Sequence, residues 1–400
     1  MAFDVMEWLQ LGIRWIHIIT GVAWIGASFY FIWLDMNLTP PKQGGQKDKD
    51  GVGGELWAIH GGGFYEVQKY KAAPPTLPPH LHWFKYEAYF TWISGFALLT
   101  VLYYFGAEIY LIDKSIADIS SDAAILIGIG SLVGGWIIYD FLCRTPLIRH
   151  QGVFGVVLFV LLTAAAWGLS QVFSGRGAYI HVGAIIGTIM AANVLMIIMP
   201  GQRALVSSAE KGEAPDPEPG LKAKQRSLHN NYFTLPILFI MISNHYPGTF
   251  GHEYGWAVLA GIALVGILVR HYFNLKNQGR AKQAFYLLPV SFVLFFVIAF
   301  VAAPKKVDLS EGPAVSFTQV QNIISERCVS CHATEPTSED FDTAPKAVKL
   351  ENRAQILREV TRIRQQVVET DTMPLGNVTE MTDDERLIIG RWIAQGAKAE

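Results

Sequence analysis

The sequence predicts an all-α fold, in which an eight-span transmembrane helical bundle over residues 1–303 precedes a small α-helical domain over residues 304–400. The first observation is composition: 51% of the 400 residues are hydrophobic and 16% are charged, whereas soluble domains average about 25% charged residues. The second is that the long apolar stretches all lie before residue 304. The third is that the tail is polar, with 12 basic and 16 acidic residues.

The apolar stretches of the front part are each close to the roughly 20 residues that cross a bilayer as a helix. The sixth stretch is short and contains Pro236 and Asn244, and proline is tolerated in a membrane helix when neighbouring groups satisfy the freed carbonyl. The eight stretches cover approximately residues 8–33, 87–105, 123–142, 152–171, 180–200, 231–247, 255–271 and 285–303.

The loops between these stretches alternate in charge. Basic residues concentrate in the first, third, fifth and seventh loops, and the sixth loop has none. The positive-inside rule therefore places the odd loops in the cytoplasm and both chain termini outside it. The net charge of −2 shows no basic excess, so the expected surroundings are a lipid bilayer and no nucleic-acid partner. In the first loop, residues 55–86 are too rich in aromatic residues and His for a passive linker.

The tail contains Cys328-Val329-Ser330-Cys331-His332, which is the C-x-x-C-H attachment motif of c-type haem. Its spacing brings two thiols to the two vinyl groups of haem and directs the His332 imidazole to the iron. The alternative is a zinc half-site, but zinc needs a second Cys or His pair and the tail has none. The motif predicts a cytochrome c domain with covalent haem c.

A second axial ligand to the haem iron is expected from Met373, which precedes Pro374. A His332 and Met373 pair raises the haem potential, which suits an electron acceptor. Met381 is the competing methionine. It is followed by Thr382, which is predicted to cap a final helix that packs on a first helix beginning near Phe317.

Haem c is attached outside the bacterial cytoplasm, in agreement with the loop charges. The predicted location is therefore the bacterial inner membrane, crossed several times, with the cytochrome domain in the periplasm. The remaining Cys143 is interpreted as a buried, inert thiol.

Polar side chains within the predicted spans are functional candidates, because they are costly to bury in lipid. Arg14, His17, His181 and His245 fall in the outer half, on the haem side, and are the predicted catalytic or binding residues. They suit either a polar substrate pocket or a bis-His haem b, and the sequence does not separate the two. The alternative pocket is a cytoplasmic set, His60, His82 and His229.

Four stretches of the front part are distinctive: WIHIITGVAWIGASFY at residues 15–30, WAIHGGGFY at 57–65, RSLHNNYFTLP at 226–236 and MISNHYP at 241–247. With these stretches the chain resembles the bacterial membrane-bound urate oxidases (urate hydroxylases) that carry a fused cytochrome c domain. The likeness covers essentially the whole chain and does not assign catalytic residues.

The resemblance implies oxidation of urate to 5-hydroxyisourate in purine degradation. Electrons would leave through the fused haem to a downstream cytochrome c or terminal oxidase, without peroxide formation. In this interpretation the protein positions urate and moves protons while the haem carries the redox step. The alternatives are a membrane-anchored electron-transfer subunit without its own substrate, fed by quinol or a dehydrogenase, and a transporter with an attached redox sensor.

Overall fold

A computed structural model describes residues 5–303, 309 and 311–398. Long helices dominate the part before residue 304. The helices of this part are α1 (Val5–Asn37), α2 (Gln46–Lys49), α3 (Tyr86–Leu99), α4 (Ser121–Arg144), α5 (Gln151–Ser170), α6 (Gly175–Ala192), α7 (Met199–Glu210), α8 (Pro217–Ser243), α9 (Pro247–Phe250), α10 (Gly255–Asn277), α11 (Ala281–Ala284) and α12 (Leu287–Val301).

Several of these helices begin at side chains that accept a hydrogen bond from the first turn, which satisfies backbone N–H groups that have no partner within the helix. The Ser120 hydroxyl accepts from the N–H of Ala123 at the start of α4. Ser174 accepts from Gly177 at the start of α6.

Six helical segments of the described chain are long and apolar enough to cross a membrane. The two remaining predicted spans, 87–105 and 231–247, are also helical. They are shorter or more polar than expected, which explains why six helices and not eight are long and apolar enough. After Leu99, α3 continues as a π-helix, Thr100–Tyr104, so its regular part is short. The first half of α8 is polar, because it carries Lys222, Lys224 and Arg226. The six segments are Val5–Asn37, Ser121–Arg144, Gln151–Ser170, Gly175–Glu210, Gly255–Asn277 and Ala281–Val301.

The all-α prediction misses a β-hairpin in the first loop. Strands β1 (Val52–His60) and β2 (Gly63–Tyr70) pair antiparallel, with Trp57 opposite Glu66. Gly61 and Gly62 connect them with φ of +58° and +81°, as a tight hairpin turn requires. The Gly-Gly pair between two aromatic-rich runs is a hairpin signal that the sequence interpretation did not use.

The bundle core centres on α6, where more than half of the residues are buried. It packs against α4, α8 and a π-helical continuation, Asn193–Ile198. Fully buried members of this core include Tyr139, Phe173 and Ile189.

The residues after 310 build a second hydrophobic core from short helices. The predicted contact between the first and last helices is confirmed, because the Phe317 and Trp392 ring centroids lie 6.0 Å apart. Thr382 caps the last helix as predicted, accepting from the Glu385 N–H. The helices are α13 (Phe317–Arg327), α14 (Arg353–Arg358), α15 (Val360–Ile363) and α16 (Asp383–Ala394), and a π-helix, Arg364–Glu369, follows α15.

Candidate functional site

The C-x-x-C-H segment begins where α13 ends, at Cys328. The backbone N–H groups of Cys331 and His332 both donate to the Cys328 carbonyl oxygen, at 3.2 and 2.9 Å. These two hydrogen bonds to one carbonyl oxygen fold the segment into a tight turn, which places the three functional side chains together. Both cysteines are free thiols, and burial raises the pKa of the Cys328 thiol to about 12.

The His332 imidazole is oriented by one contact, in which Nδ1 lies 2.9 Å from the carbonyl oxygen of Val348. A carbonyl only accepts, so Nδ1 carries the proton and the lone pair is on Nε2. This is the arrangement in which a histidine ligates a metal through one nitrogen while the other donates to a backbone carbonyl. Two free thiols and a histidine in this tautomer fit the requirements of covalent haem attachment.

The two candidate methionine ligands have different surroundings. Met381 is buried in the core, and its backbone N–H and carbonyl both bond to the Asn377 side chain. Met373 is half-buried, and its carbonyl accepts from the Arg386 guanidinium at 2.7 Å. Met373 therefore stays the better candidate for the second ligand.

The zinc interpretation finds no further ligands. Across residues 5–303, 309 and 311–398, no three His, Cys, Asp or Glu side chains are grouped so that they could hold a metal ion.

The four side chains predicted to form the outer pocket occupy separate surroundings. His17 faces α3, with Nδ1 at 3.0 Å from the Thr91 carbonyl. His181 is fully buried, with Nδ1 at 2.8 Å from its own helix at Gly177 O. Arg14 and His245 are exposed in the protein structure. Within the described residues, no hydrogen bond, ion pair or ring contact joins any two of the four.

The alternative cytoplasmic set is also dispersed. His60 lies at the hairpin tip and His82 contacts Phe84, and both are exposed. His229 alone is buried, with 8% of its surface exposed, and its ring stacks on Phe154 at 4.9 Å.

His229 ends a directed hydrogen-bond chain that the sequence interpretation missed. Arg226 can only donate, and its NH1 lies 3.2 Å from Asn193 Oδ1. The Asn193 amide then donates to the Tyr139 hydroxyl, and Tyr139 in turn donates to His229 Nδ1 at 2.8 Å. The proton of His229 is therefore on Nε2, which has no hydrogen-bond partner in the described part of the chain.

The charge of Arg226 is balanced by Asp140 at 2.7 Å, and both side chains are buried. A signal for this pair was present, since Asp140 lies in a predicted span and Arg226 precedes another. What the sequence could not show is that α4 and α8 bring the two together.

A cavity of about 660 Å³ lies between one end of the bundle and the C-terminal domain. Its bundle-side lining comes from the π-helix Ala107–Leu111, the start of α6 and the α9–α10 region. Its other side comes from residues 370–372, 374–377 and α16. The lining residues used below are Tyr110, Asp113, Arg176, Phe250, Glu253, Asp371, Asp383 and Arg386.

Tyr110 lines this cavity and also interacts with the C-x-x-C-H segment. Burial raises the pKa of Tyr110, so its hydroxyl remains protonated. The hydroxyl lies within electrostatic reach of the Arg176 guanidinium, of Asp340 and of the Cys331 thiol.

The sequence model of the family described as Urate oxidase N-terminal matches residues 4–303 of this chain. Comparison with curated proteins finds no match, and comparison with solved structures finds none either. The matched region ends before the C-x-x-C-H segment.

Proposed function

We propose that this chain, which belongs to the urate oxidase N-terminal family, is a membrane-bound oxidoreductase that converts urate to 5-hydroxyisourate in purine degradation. The family supports a urate-related oxidation, and the six membrane-length helices support a membrane protein. The product, the electron route and the cellular location belong to the proposal.

The reaction balances as a two-electron oxidation. Urate monoanion and water give 5-hydroxyisourate, one proton and two electrons, and a new C–O bond forms at C5 of the purine. The electrons need a one-electron acceptor that can be used twice. A covalent c-type haem, when bound, would supply such an acceptor, and a downstream cytochrome c or terminal oxidase would take the electrons onward.

Cys328 and Cys331 would hold the haem through thioether links, and His332 and Met373 would be the ligands of its iron. Val348 fixes the tautomer of His332 through its carbonyl, and Arg386 holds the backbone of Met373. With the C-terminal domain in the periplasm of a bacterial inner membrane, urate is oxidised at the outer face of the bundle.

The observation that carries the proposal is the position of the haem-attachment domain on the family-matched bundle. Its loop Leu375–Asn377 packs on the π-helix Ala107–Leu111, beside the cavity. A substrate in that cavity would be close to the haem-attachment segment. The cytoplasmic set has no such neighbour, since His60 and His82 lie on the hairpin side of the bundle.

The predicted outer pocket remains part of the proposal in a modified form. Of the four predicted pocket residues, Arg14 is linked to the cavity through Tyr103. Both Arg14 and the cavity residue Arg176 interact electrostatically with Tyr103. His17, His181 and His245 stay proposed as binding or catalytic residues in their separate surroundings. The alternative proposal is that these histidines hold a membrane-embedded haem b.

The test adds urate anaerobically to the purified, oxidised protein and follows the c-haem absorption band. We expect reduction of the haem and formation of 5-hydroxyisourate in a ratio of two electrons per product. Haem that stays oxidised at saturating urate would contradict the proposal and favour an electron-transfer subunit or a transporter. A reduced-minus-oxidised spectrum of the same sample shows whether haem b accompanies haem c.

A further inference from the structure

Arg176 lines the cavity, and none of the described carboxylates forms an ion pair with it. Its guanidinium lies over the Phe250 ring, 5.5 Å from the centroid. In the described part of the chain it forms no ion pair and no hydrogen bond, although it is half-buried. A half-buried charge with a free donor face is costly unless something outside the chain neutralises it.

The other charged side chains of the lining are already engaged. Arg386 pairs with Asp371 at 3.5 Å, and Asp113 accepts from the backbone N–H of Ser115 at 2.9 Å. Glu253 interacts with the Tyr254 hydroxyl. Asp383 lies in the first turn of α16, where the helix dipole favours a carboxylate. Among the described lining residues, Arg176 is therefore the arginine that has no carboxylate partner.

The position of Arg176 relative to Tyr110 is held by Ser174. The Ser174 hydroxyl donates to the Tyr110 carbonyl at 2.8 Å, and its backbone N–H donates to the Leu111 carbonyl at 2.8 Å. The same hydroxyl accepts from Gly177 as the cap of α6. These hydrogen bonds join the start of α6 to the π-helix Ala107–Leu111. They fix the positions of Arg176 and Tyr110 relative to each other in the lining of the cavity.

Two more groups extend this arrangement into the bundle. Tyr103 packs edge-on to Tyr110, with ring centroids 6.3 Å apart, and its hydroxyl donates to Asn244 Oδ1 at 3.4 Å. Arg14 is also within electrostatic reach of Tyr103. Arg14 and Arg176 are thus two cations within electrostatic reach of the same tyrosine.

We infer that Arg176 is the anion-binding residue of the urate site, holding the urate monoanion in the interdomain cavity with Tyr110 between substrate and haem-attachment segment. The inference rests on the proposed function. A guanidinium presents two parallel N–H donors in one plane, which matches the edge of a planar anion that carries neighbouring acceptors. The Phe250 face orients that plane.

The test measures urate binding separately from turnover. The full-length holoprotein is reduced under anaerobic conditions, where no oxidant allows turnover, and urate binding is measured by equilibrium dialysis. We expect Arg176→Gln to weaken binding about tenfold or more, the loss of one charge-assisted contact, and to raise KM with a smaller effect on kcat. Arg176→Lys keeps the charge but loses the paired donors, so an intermediate loss is expected.

Arg149→Gln is the matched control, since Arg149 is exposed in a short 3-10 turn, Pro146–Arg149, that does not line the cavity. It should bind urate like the wild type. Wild-type affinity in Arg176→Gln would overturn this assignment while leaving urate oxidation intact. A wild-type protein that neither binds nor oxidises urate would instead overturn the proposed function. If Arg176→Gln loses its haem or aggregates, the test rests on Arg176→Lys. Urate affinity and KM equal to those of the wild type in Arg176→Lys would contradict the paired-donor geometry.

Discussion

Gly376 of the C-terminal domain approaches Glu108 of the bundle so closely that a Cβ at position 376 would lie 2.5 Å from the Glu108 carbonyl oxygen. The φ of Gly376 is +58°, a conformation that side chains other than Gly seldom adopt. Both features follow from its place in the loop Leu375–Asn377, which packs on the π-helix Ala107–Leu111. This glycine therefore permits the two parts of the molecule to touch backbone to backbone.

Substitution of this glycine should separate the two parts. We expect Gly376→Ala to slow haem reduction by urate at least about tenfold, because the added methyl group must displace backbone atoms, while haem content stays unchanged. The rate is measured by stopped-flow absorbance under anaerobic conditions. Gly396→Ala is the control, since Gly396 has φ of +98° but nothing within 4 Å of its Cβ position. An equal slowing in both variants would assign the effect to backbone strain and not to docking.

The assignment of Met373 can be separated from Met381 by reduction potential. Met373→Ala should keep the covalent haem, because both thiols remain, and should lower the potential, since axial ligands set haem potentials over a range of about 0.8 V. Met381→Leu removes a buried core methionine of similar volume, so it should cost less than about 1.5 kcal/mol of stability and leave the potential unchanged. Redox titration of the c-haem band makes the comparison. A potential that falls with Met381→Leu and not with Met373→Ala would reverse the assignment.

The pair of Glu385 and Arg327 predicts a pH dependence of the C-terminal domain. Burial would raise the pKa of Glu385, but the Thr382 N–H and the Arg327 guanidinium at 3.0 Å together lower it below the ordinary value of 4.5. A lowered carboxyl pKa stabilises the folded state above pH 4.5, and the contribution is lost as pH falls through the folded-state pKa.

Glu385→Gln keeps an amide oxygen for the Thr382 N–H but removes the charge that pairs with Arg327. It should therefore destabilise the domain near neutral pH by up to about 1 kcal/mol, the size of an ion pair close to the surface. The difference from the wild type should shrink as pH falls below 4.5. Thermal unfolding of the holoprotein, followed by haem absorbance between pH 3 and pH 7, measures it. A difference that is constant across this range would show that the Glu385 charge is not responsible.

The buried pair of Asp140 and Arg226 should be important for stability of the bundle. Asp140→Asn leaves the Arg226 charge uncompensated, and loss of one partner of a buried pair typically costs about 3–5 kcal/mol. The measurement is the midpoint of thermal unfolding in detergent. Glu218→Gln is the control, because its partner Lys222 and Glu218 itself are 64% and 66% exposed, and exposed pairs contribute about 0–1 kcal/mol. Equal midpoints for Asp140→Asn and wild type would contradict a stabilising role for the pair.

Much of the fold was predictable because its signals are local. The six membrane-length helices follow from uninterrupted apolar runs, and the Thr382 cap follows from a residue and its neighbours along the chain. The hairpin was missed although Gly61 and Gly62 are a local signal. Two predicted spans are not among the six membrane-length helices. One continues as a π-helix after Leu99, and the other belongs to α8, whose first half is polar.

The sequence by itself determined the C-x-x-C-H motif, since two thiols and an imidazole within five residues need no partner from elsewhere to be recognised. It also determined the division into an apolar front and a polar tail. The tertiary structure alone decided that Val348 orients His332 and that Tyr139 and Asn193 set the tautomer of His229. It also decided that Arg176 lines a cavity without an ion-pair partner among the described residues. Hydrogen-bond direction and charge balance depend on groups far apart in the chain, and only packing shows which of those groups meet.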